Sequence, residues 1–170
     1  NRSLFGDAAT ATLIPQSLSN DIAGFLHGTD GSKSDKLILE KSSLESETKP
    51  YLHMNGPAIF DFTQNRMPLF INEILQKNSL DKSQVDQYIL HQANKLLLDL
   101  IRMKVKVKKE KFFIDMTDGG NTVSSTIPIA LKKYSNQTNA SGSLPEKVLL
   151  AGFGVGLSWS GGIITLRHPL

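Results

Sequence analysis

The alternation of apolar and polar positions along the 170-residue chain predicts strands and helices in turn. Short apolar runs rich in β-branched residues are typical of buried strands, whereas apolar residues at intervals of three and four are typical of helices. On this basis strands are predicted at residues 8–14, 22–27, 37–39, 87–91, 112–115, 148–151 and 157–166. Helices are predicted from Asn55-Gly56-Pro57 to residues 77–79, over residues 95–105, and after the Ser/Thr cap at residues 124–126.

This order of elements indicates an α/β fold with a layered mixed sheet and an antiparallel edge strand. Pro68 lies inside the first predicted helix, where it lacks an N–H and its ring clashes with the preceding turn, so a kink or two abutting helices are expected. The helix over 95–105 is apolar nearly all round, which predicts that it is covered on more than one side. Residues 28–53 and 136–146 are polar and are predicted to be exposed.

Polar side chains follow three of these elements and form a candidate site. His91 and Asn94 lie between strand 87–91 and the next helix, at the carboxyl end of a strand, where open α/β folds bind ligands. Asn121 follows a paired-glycine turn, and the Gly-rich turn at 152–156 could offer backbone N–H groups to an anion. A purely structural role stays open for each side chain. His91 could be a structural residue at a strand end with its hydrogen bonds satisfied inside the fold, Asn94 could cap the next helix, and Asn121 could serve only its turn.

Composition and charge exclude several classes of function. The chain has no cysteine, so it contains no disulfide framework, thiolate metal site or thiol nucleophile. A net charge of +3 does not indicate a nucleic-acid-binding protein. No apolar run reaches the roughly 18 residues of a membrane helix, and no signal peptide is recognised, so a cytoplasmic location is expected. The lysines at 104, 106, 108, 109 and 111 either complement a helix dipole or form a docking patch for an acidic partner.

Four motifs together resemble one family: Leu4-Phe5-Gly6-Asp7, His91-Gln92-Ala93-Asn94, Gly120-Asn121-Thr122 and Gly152-Phe153-Gly154-Val155-Gly156-Leu157-Ser158-Trp159. Their order and approximate spacing resemble β-ketoacyl-acyl-carrier-protein synthase III, a condensing acyltransferase of the thiolase-like superfamily, over nearly the whole chain. The resemblance implies two similar α/β halves, of which this chain matches the carboxyl-terminal one. Residues 1–21 would then be the last strand pair of the missing amino-terminal half, and residues 22–170 the carboxyl-terminal domain.

The resemblance also implies a reaction, a decarboxylative condensation in fatty-acid-type biosynthesis. An acyl group is carried on a cysteine of the amino-terminal half, and the carbanion left by decarboxylation of a malonyl thioester attacks it. His91, acting neutral, and Asn121 match the catalytic pair that donates to the thioester oxygen, where negative charge develops. The matched substrate-binding residues are Asn94, Phe153, Gly154, Val155 and Gly156, and the matched carrier-protein docking residues are Gln92, Lys95 and Leu96.

The resemblance implies partners as well: acyl carrier protein, coenzyme A thioesters and the missing amino-terminal half, in a full-length homodimer. Coenzyme A and phosphopantetheine thioesters are expected as substrates, with no cofactor, no metal, no nucleic acid and no membrane. Val155 stands where many relatives have glycine, and Leu96 stands where arginine is frequent. Because the nucleophilic cysteine is absent, the chain by itself is expected not to catalyse condensation.

Two other interpretations of the same residues stay open. The chain could be a non-catalytic module that binds acyl carrier protein or coenzyme A thioesters. It could also be a thioester decarboxylase that uses His91 and Asn121 without condensation. If it is half of a larger fold, apolar surface normally covered by the other half should be exposed and favour self-association.

Overall fold

The computed structural model describes residues 4–14, 22–39, 51–139, 146–167 and 170. Its helices and strands are β1 (Ile22–Thr29), β2 (Leu37–Leu39), β3 (Leu52–Met54), α1 (Gly56–Lys77), β4 (Gln87–Leu90), α2 (Lys95–Val105), β5 (Phe112–Phe113), α3 (Thr126–Asn139), β6 (Glu146–Gly154) and β7 (Ser158–Leu166). The predicted helices are therefore confirmed, although α3 extends to Asn139, into the stretch expected to be a loop.

The main sheet has five strands in the order β1-β7-β6-β4-β5, and β2 pairs with β3 in a separate two-stranded sheet. Strand β4 runs parallel to β5 and β6. Strand β7 runs antiparallel to both β6 and the edge strand β1. The α/β fold with a mixed sheet and an antiparallel edge strand is thus confirmed.

Helices cover both faces of the sheet, because consecutive residues of its central strands point to opposite sides. Tyr88 and Leu90 pack with α1 and α2 in one apolar cluster. Ile89 and Val148 pack with α3 in a second cluster on the other face. All four residues of β4 are buried, as expected for a parallel strand between two layers of helices.

Helix α1 continues through Pro68 as one helix, so the expectation of two abutting helices is wrong. The missing N–H of Pro68 leaves the carbonyl of Gln64, one turn earlier, without its helical partner. Lys104 of α2 donates from Nζ to that carbonyl at 2.9 Å, and Lys111 similarly donates to the carbonyl of Val85 at 2.7 Å. Two lysines of the basic cluster therefore satisfy backbone groups of the fold.

Helix α2 presents one apolar face to the core, and the prediction that it is covered on more than one side is wrong. Its fully buried positions are Leu97, Leu98, Ile101 and Val105. On its outer surface Leu96 is 67% exposed and Met103 is 53% exposed. The buried positions follow the spacing of a single helical stripe, because only one side of the helix meets α1 and the sheet.

The predicted strand at 8–14 is not formed, and residues 7–14 are exposed. A strand needs a neighbour to satisfy its backbone groups, and these residues have no strand partner within the described ranges. Instead, Phe5 forms an isolated parallel bridge with Asn121. Residues 1–3 and 15–21 lie outside the described ranges, so the domain boundary between residues 21 and 22 stays a prediction.

Candidate functional site

A cavity of about 600 Å³ lies at the carboxyl ends of the parallel strands β4 and β6. His91 follows β4, Phe153 lies near the end of β6, and both line the cavity together with Asn94 and Asn121. The rest of the lining is mainly apolar. The fold therefore brings the predicted polar side chains to one pocket at the sheet edge where α/β proteins bind ligands.

The imidazole of His91 is held on one side and free on the other. Its Nδ1 lies 2.7 Å from Oγ1 of Thr126, and its ring packs edge-on against Phe153 with 5.3 Å between the ring centroids. Burial lowers the pKa of His91 from 6.5 to about 4, because desolvation penalises the charged ring, while the nearby carbonyl of Val123 acts in the opposite direction. The ring is therefore neutral near pH 7, and Nε2 is the nitrogen left for a ligand.

Asn121 is buried, and its amide orientation is fixed by the backbone. The Oδ1 atom accepts a hydrogen bond from the N–H of Val123 at 2.9 Å. This is the turn role considered in the sequence analysis, and it uses only the oxygen of the amide. The Nδ2 group makes no hydrogen bond with the part of the chain that the structure describes, so it is the donor available at the cavity.

The backbone of Asn121 is held by the segment Leu4-Phe5-Gly6. The N–H of Asn121 donates to the carbonyl of Leu4 at 3.1 Å, and the N–H of Gly6 donates to the carbonyl of Asn121 at 3.0 Å. A Cβ on Gly6 would lie 1.9 Å from the carbonyl oxygen of Gly119, and Gly120 has a φ of +59°. Both glycines are therefore required for this segment and the Asn121 loop to approach each other.

The turn between β6 and β7 contributes Gly154 and Val155 to the cavity lining. Gly156, predicted to bind substrate, is not part of that lining, and its role in binding stays a prediction. Its φ is +136°, and a Cβ there would lie 2.2 Å from Oγ of Ser158. Gly156 thus shapes the turn, since a side chain at this position would be strained and would collide with its neighbour.

Asn94 is the N-cap of α2, as considered from the sequence, and its substrate-binding role stays a prediction. Its Oδ1 accepts a hydrogen bond from the N–H of Leu97 at 2.8 Å, which caps α2. The residue also lines the cavity. The cap stabilises the first turn of α2 and fixes the side chain beside His91 and Asn121.

Gln92 was predicted to dock a carrier protein, but its side chain lies inside the fold. Its side chain is 1% exposed. The Nε2 group donates to the carbonyl of Leu90 at 2.7 Å, and Oε1 accepts from the N–H of Asp115 at 2.9 Å. Gln92 therefore joins the end of β4 to the chain after β5 and is closed to a partner. Its neighbours Lys95 and Leu96 are exposed, and Lys95 pairs with Asp99 at 2.9 Å.

Sequence reasoning missed part of the cavity wall. The missed residues, Leu37, Leu52, Met54, Ile59 and Phe60, come from β2, β3 and the start of α1. Three of them fall in or beside the stretch expected to be exposed, where the short apolar run at 37–39 was the only signal. Thr126 was recognised only as part of a helix cap, and its contact with His91 has no signature in the sequence.

The described ranges contain no cluster of three or more side chains suited to a metal ion. They also contain no helix with the length and hydrophobicity needed to cross a bilayer.

Comparison with known proteins gives consistent matches. The family model described as 3-Oxoacyl-[acyl-carrier-protein (ACP)] synthase III C terminal matches residues 75–166. The beta-ketoacyl-[acyl-carrier-protein] synthase III of Streptococcus equi subsp. zooepidemicus (strain MGCS10565) is 37% identical over 172 residues, which cover 96% of this chain and 52% of that protein. The chain spans about half the length of the curated relatives it matches.

Solved structures agree with the sequence relatives. A 2.1 Å crystal structure of a 3-oxoacyl-(acyl-carrier-protein) synthase III has a TM-score of 0.78 at 30% identity, covering 94% of this chain and 50% of that one. The priming beta-ketosynthase from the R1128 polyketide biosynthetic pathway has a TM-score of 0.77 at 26% identity, covering 88% of this chain and 46% of that one.

Proposed function

The chain belongs to the 3-oxoacyl-[acyl-carrier-protein] synthase III C-terminal family, and from that premise we propose that it supplies the oxyanion-stabilising half of a decarboxylating condensing enzyme. The proposed substrates are a malonyl thioester and an acyl thioester, carried on coenzyme A or on the phosphopantetheine of an acyl carrier protein. One observation supports this most: His91 and Asn121 line the same mainly apolar cavity, each with one polar atom fixed by the chain and another left free.

The proposed chemistry needs donors where charge develops. When the carbon–carbon bond to the malonyl carboxylate breaks, carbon dioxide leaves and the electron pair moves onto the thioester oxygen. Nδ2 of Asn121 and an N–H at Nε2 of His91 would donate to that oxygen, stabilising the transition state more than the substrate. The carbanion then attacks the acyl thioester carbon, and the thiolate leaves.

The cavity suits such substrates. Its mainly apolar lining fits the uncharged chain of a pantetheine arm and excludes water, which strengthens hydrogen bonds to a developing charge. The low pKa of His91, about 4, supports a neutral ring at the pH of the cytoplasm. Neutral histidine is a hydrogen-bond donor that does not give up its proton to the enolate.

The thiol that carries the acyl group must lie outside these 170 residues, because they contain no cysteine. We assign it to the segment that the relatives have and this chain does not, since the chain spans about half their length. For the same reason the chain by itself would give no condensation product. Lys95 and Leu96, both exposed at the start of α2 beside the cavity, are the proposed contacts for an acidic carrier protein.

Release of carbon dioxide from a malonyl thioester by the protein that contains this chain tests the proposal. His91→Ala and Asn121→Ala should each slow it on the order of 100-fold or more, because each removes one oxyanion donor. Thioester binding should change far less. His53→Ala, which removes an exposed histidine, is the matched control and should leave the rate unchanged.

The outcome separates the proposal from the alternative of a non-catalytic binding module. Thioester binding without decarboxylation, or decarboxylation unaffected by both cavity variants, would favour a module that only recognises carrier-bound or coenzyme A thioesters. Decarboxylation without condensation, in a protein that has an acyl-carrying thiol, would favour a decarboxylase.

A further inference from the structure

Thr126 lies next to His91 in the cavity wall. It is the first residue of α3 and is 3% exposed. Its Oγ1 is 2.7 Å from Nδ1 of His91 and 3.0 Å from the carbonyl oxygen of Val123. The hydroxyl has one proton and two acceptors within reach, so it can satisfy only one of them at a time.

The acceptor to which this hydroxyl donates determines whether Nε2 of His91 is protonated at the cavity. A neutral imidazole carries one proton, on either ring nitrogen, and the partner of Nδ1 selects which. If the Thr126 hydroxyl donates to Nδ1, the ring proton is on Nε2, which becomes a donor. If the hydroxyl donates to Val123 instead, Nδ1 must donate to Oγ1, and Nε2 becomes a bare acceptor.

Donation to Nδ1 leaves no polar group around the hydroxyl unpaired. The Oγ1 atom is 2.7 Å from Nδ1. The carbonyl of Val123, 3.0 Å from Oγ1, already accepts a hydrogen bond from the backbone N–H of Thr126, so it does not depend on the hydroxyl. When the ring proton is on Nε2, Nδ1 is a buried acceptor whose only side-chain donor within the described ranges is this hydroxyl, and an unpaired buried acceptor is costly.

We propose that Thr126 is a positioning residue whose hydroxyl donates to Nδ1 of His91 and so keeps the ring proton on Nε2. The inference deepens the proposed function and rests on it, because a thioester oxyanion needs a donor at the free nitrogen. Thr126 also lines the cavity, but its hydroxyl is proposed to act through His91 and not on the reacting oxygen. Without that hydroxyl, the acceptor left near the ring is the carbonyl of Val123.

Replacing the hydroxyl by a methyl group should therefore reverse the tautomer. Thr126→Val has nearly the same volume but removes the hydroxyl donor to Nδ1 and leaves the Val123 carbonyl, an acceptor, near the ring. The ring proton is therefore expected on Nδ1. The bare Nε2 would repel the developing oxyanion, and kcat for malonyl decarboxylation should fall on the order of 100-fold with little change in KM. Thr126→Ser keeps the hydroxyl and should retain the tautomer and most of the rate.

Nitrogen-15 NMR of the full-length protein labelled at histidine measures the tautomer without relying on activity, because protonated and bare ring nitrogens have well-separated chemical shifts. At pH 7.5 we expect Nε2–H for His91 in the wild type and in Thr126→Ser, and Nδ1–H in Thr126→Val. Thr122→Val is the matched control. It makes the same replacement at a buried position four residues before Thr126, where the side chain has no hydrogen bond to His91, and it should leave the tautomer unchanged.

Each outcome bears on one of the two proposals. A wild-type ring with its proton on Nδ1, or a Thr126→Val ring that keeps it on Nε2, would overturn the inference whatever the activity. A reversed tautomer with unchanged kcat would overturn its link to the reaction. If the tautomer reverses but the wild type releases no carbon dioxide, the role of Thr126 stands and the proposed function fails. Should Thr126→Val not fold, Thr126→Ala makes the same comparison, and the wild-type spectrum is decisive alone.

Discussion

Acidification should destabilise the fold through His91, and the size of the effect follows from its burial. In the unfolded chain a histidine takes up a proton near pH 6.5. In the folded chain His91 does so only near pH 4, because burial penalises the charged ring. Between these values the unfolded state binds more protons, so the stability that His91 confers above pH 6.5 is lost as the pH falls toward 4.

The magnitude is large for one side chain. The two pKa values differ by about 2.5, and one pKa unit corresponds to about 1.4 kcal/mol, so the full effect is about 3.5 kcal/mol. At pH 4.5, just above the folded pKa, about 2.5 kcal/mol of it should already be lost. This is a substantial fraction of the 5–15 kcal/mol, roughly, that stabilises a typical domain.

Urea unfolding at pH 7.5 and pH 4.5 measures the loss. The wild type should lose about 2.5 kcal/mol more than His91→Gln, which has no titrating ring at this position. Carboxylates such as Glu73, whose pKa is lowered by its hydrogen bond to Arg66, are present in both proteins and cancel in the difference. His53→Gln, at an exposed position, should behave like the wild type. Equal losses in the wild type and His91→Gln would refute the argument that the ring is buried and neutral.

Three further substitutions test how the site is held. Gly6→Ala places a Cβ 1.9 Å from a backbone oxygen of the Asn121 loop, and should cost about 2 kcal/mol in urea unfolding and slow decarboxylation; wild-type values for both would show that the close approach is unimportant. Gln92→Leu leaves the carbonyl of Leu90 and the N–H of Asp115 without the amide of Gln92 and should lower the free energy of unfolding by about 2–3 kcal/mol. An unchanged unfolding midpoint would show that these buried hydrogen bonds are unimportant. Lys104→Met should cost about 1 kcal/mol, but nearly nothing in a Pro68→Ala background that restores the helical N–H; additive losses in this double-mutant cycle would contradict the pairing.

The sheet could be predicted from the sequence because its central strands β4 and β6 contain the short apolar runs 88–90 and 148–151. β4 is buried throughout, and such a run bounded by polar residues is a strong strand signal. His91 and Asn121 could be found because they stand in short motifs at strand and turn ends. Which of their polar atoms are held by the chain and which are free could not be predicted, since this depends on partners such as Thr126 that come together only in the fold.

The failed predictions share one physical cause, which is compensation by residues distant in the sequence. Pro68 favours a break in an isolated helix, yet Lys104, which is 40 positions from Gln64, satisfies the freed carbonyl. Gln92 looks like a surface residue until the backbone groups around it are seen to need its amide. Conversely, the β-branched run at 8–14 has strand propensity but no neighbour within the described ranges, and propensity without a partner strand does not make a strand.

The bridge between Phe5 and Asn121 makes formation of the site depend on a contact between two distant parts of the chain. Next to it, the Ser125 hydroxyl donates to the carbonyl of Ala8, 117 positions away. Closing so long a loop is entropically expensive and slow compared with forming a helix. The amide of Asn121 therefore takes up its position only after the two distant segments have met. Local opening of the segment at 4–14, of which residues 7–14 are exposed, would release the Asn121 amide while the sheet and its helices stay intact. The proposed activity would then be lost before any loss of secondary structure can be detected.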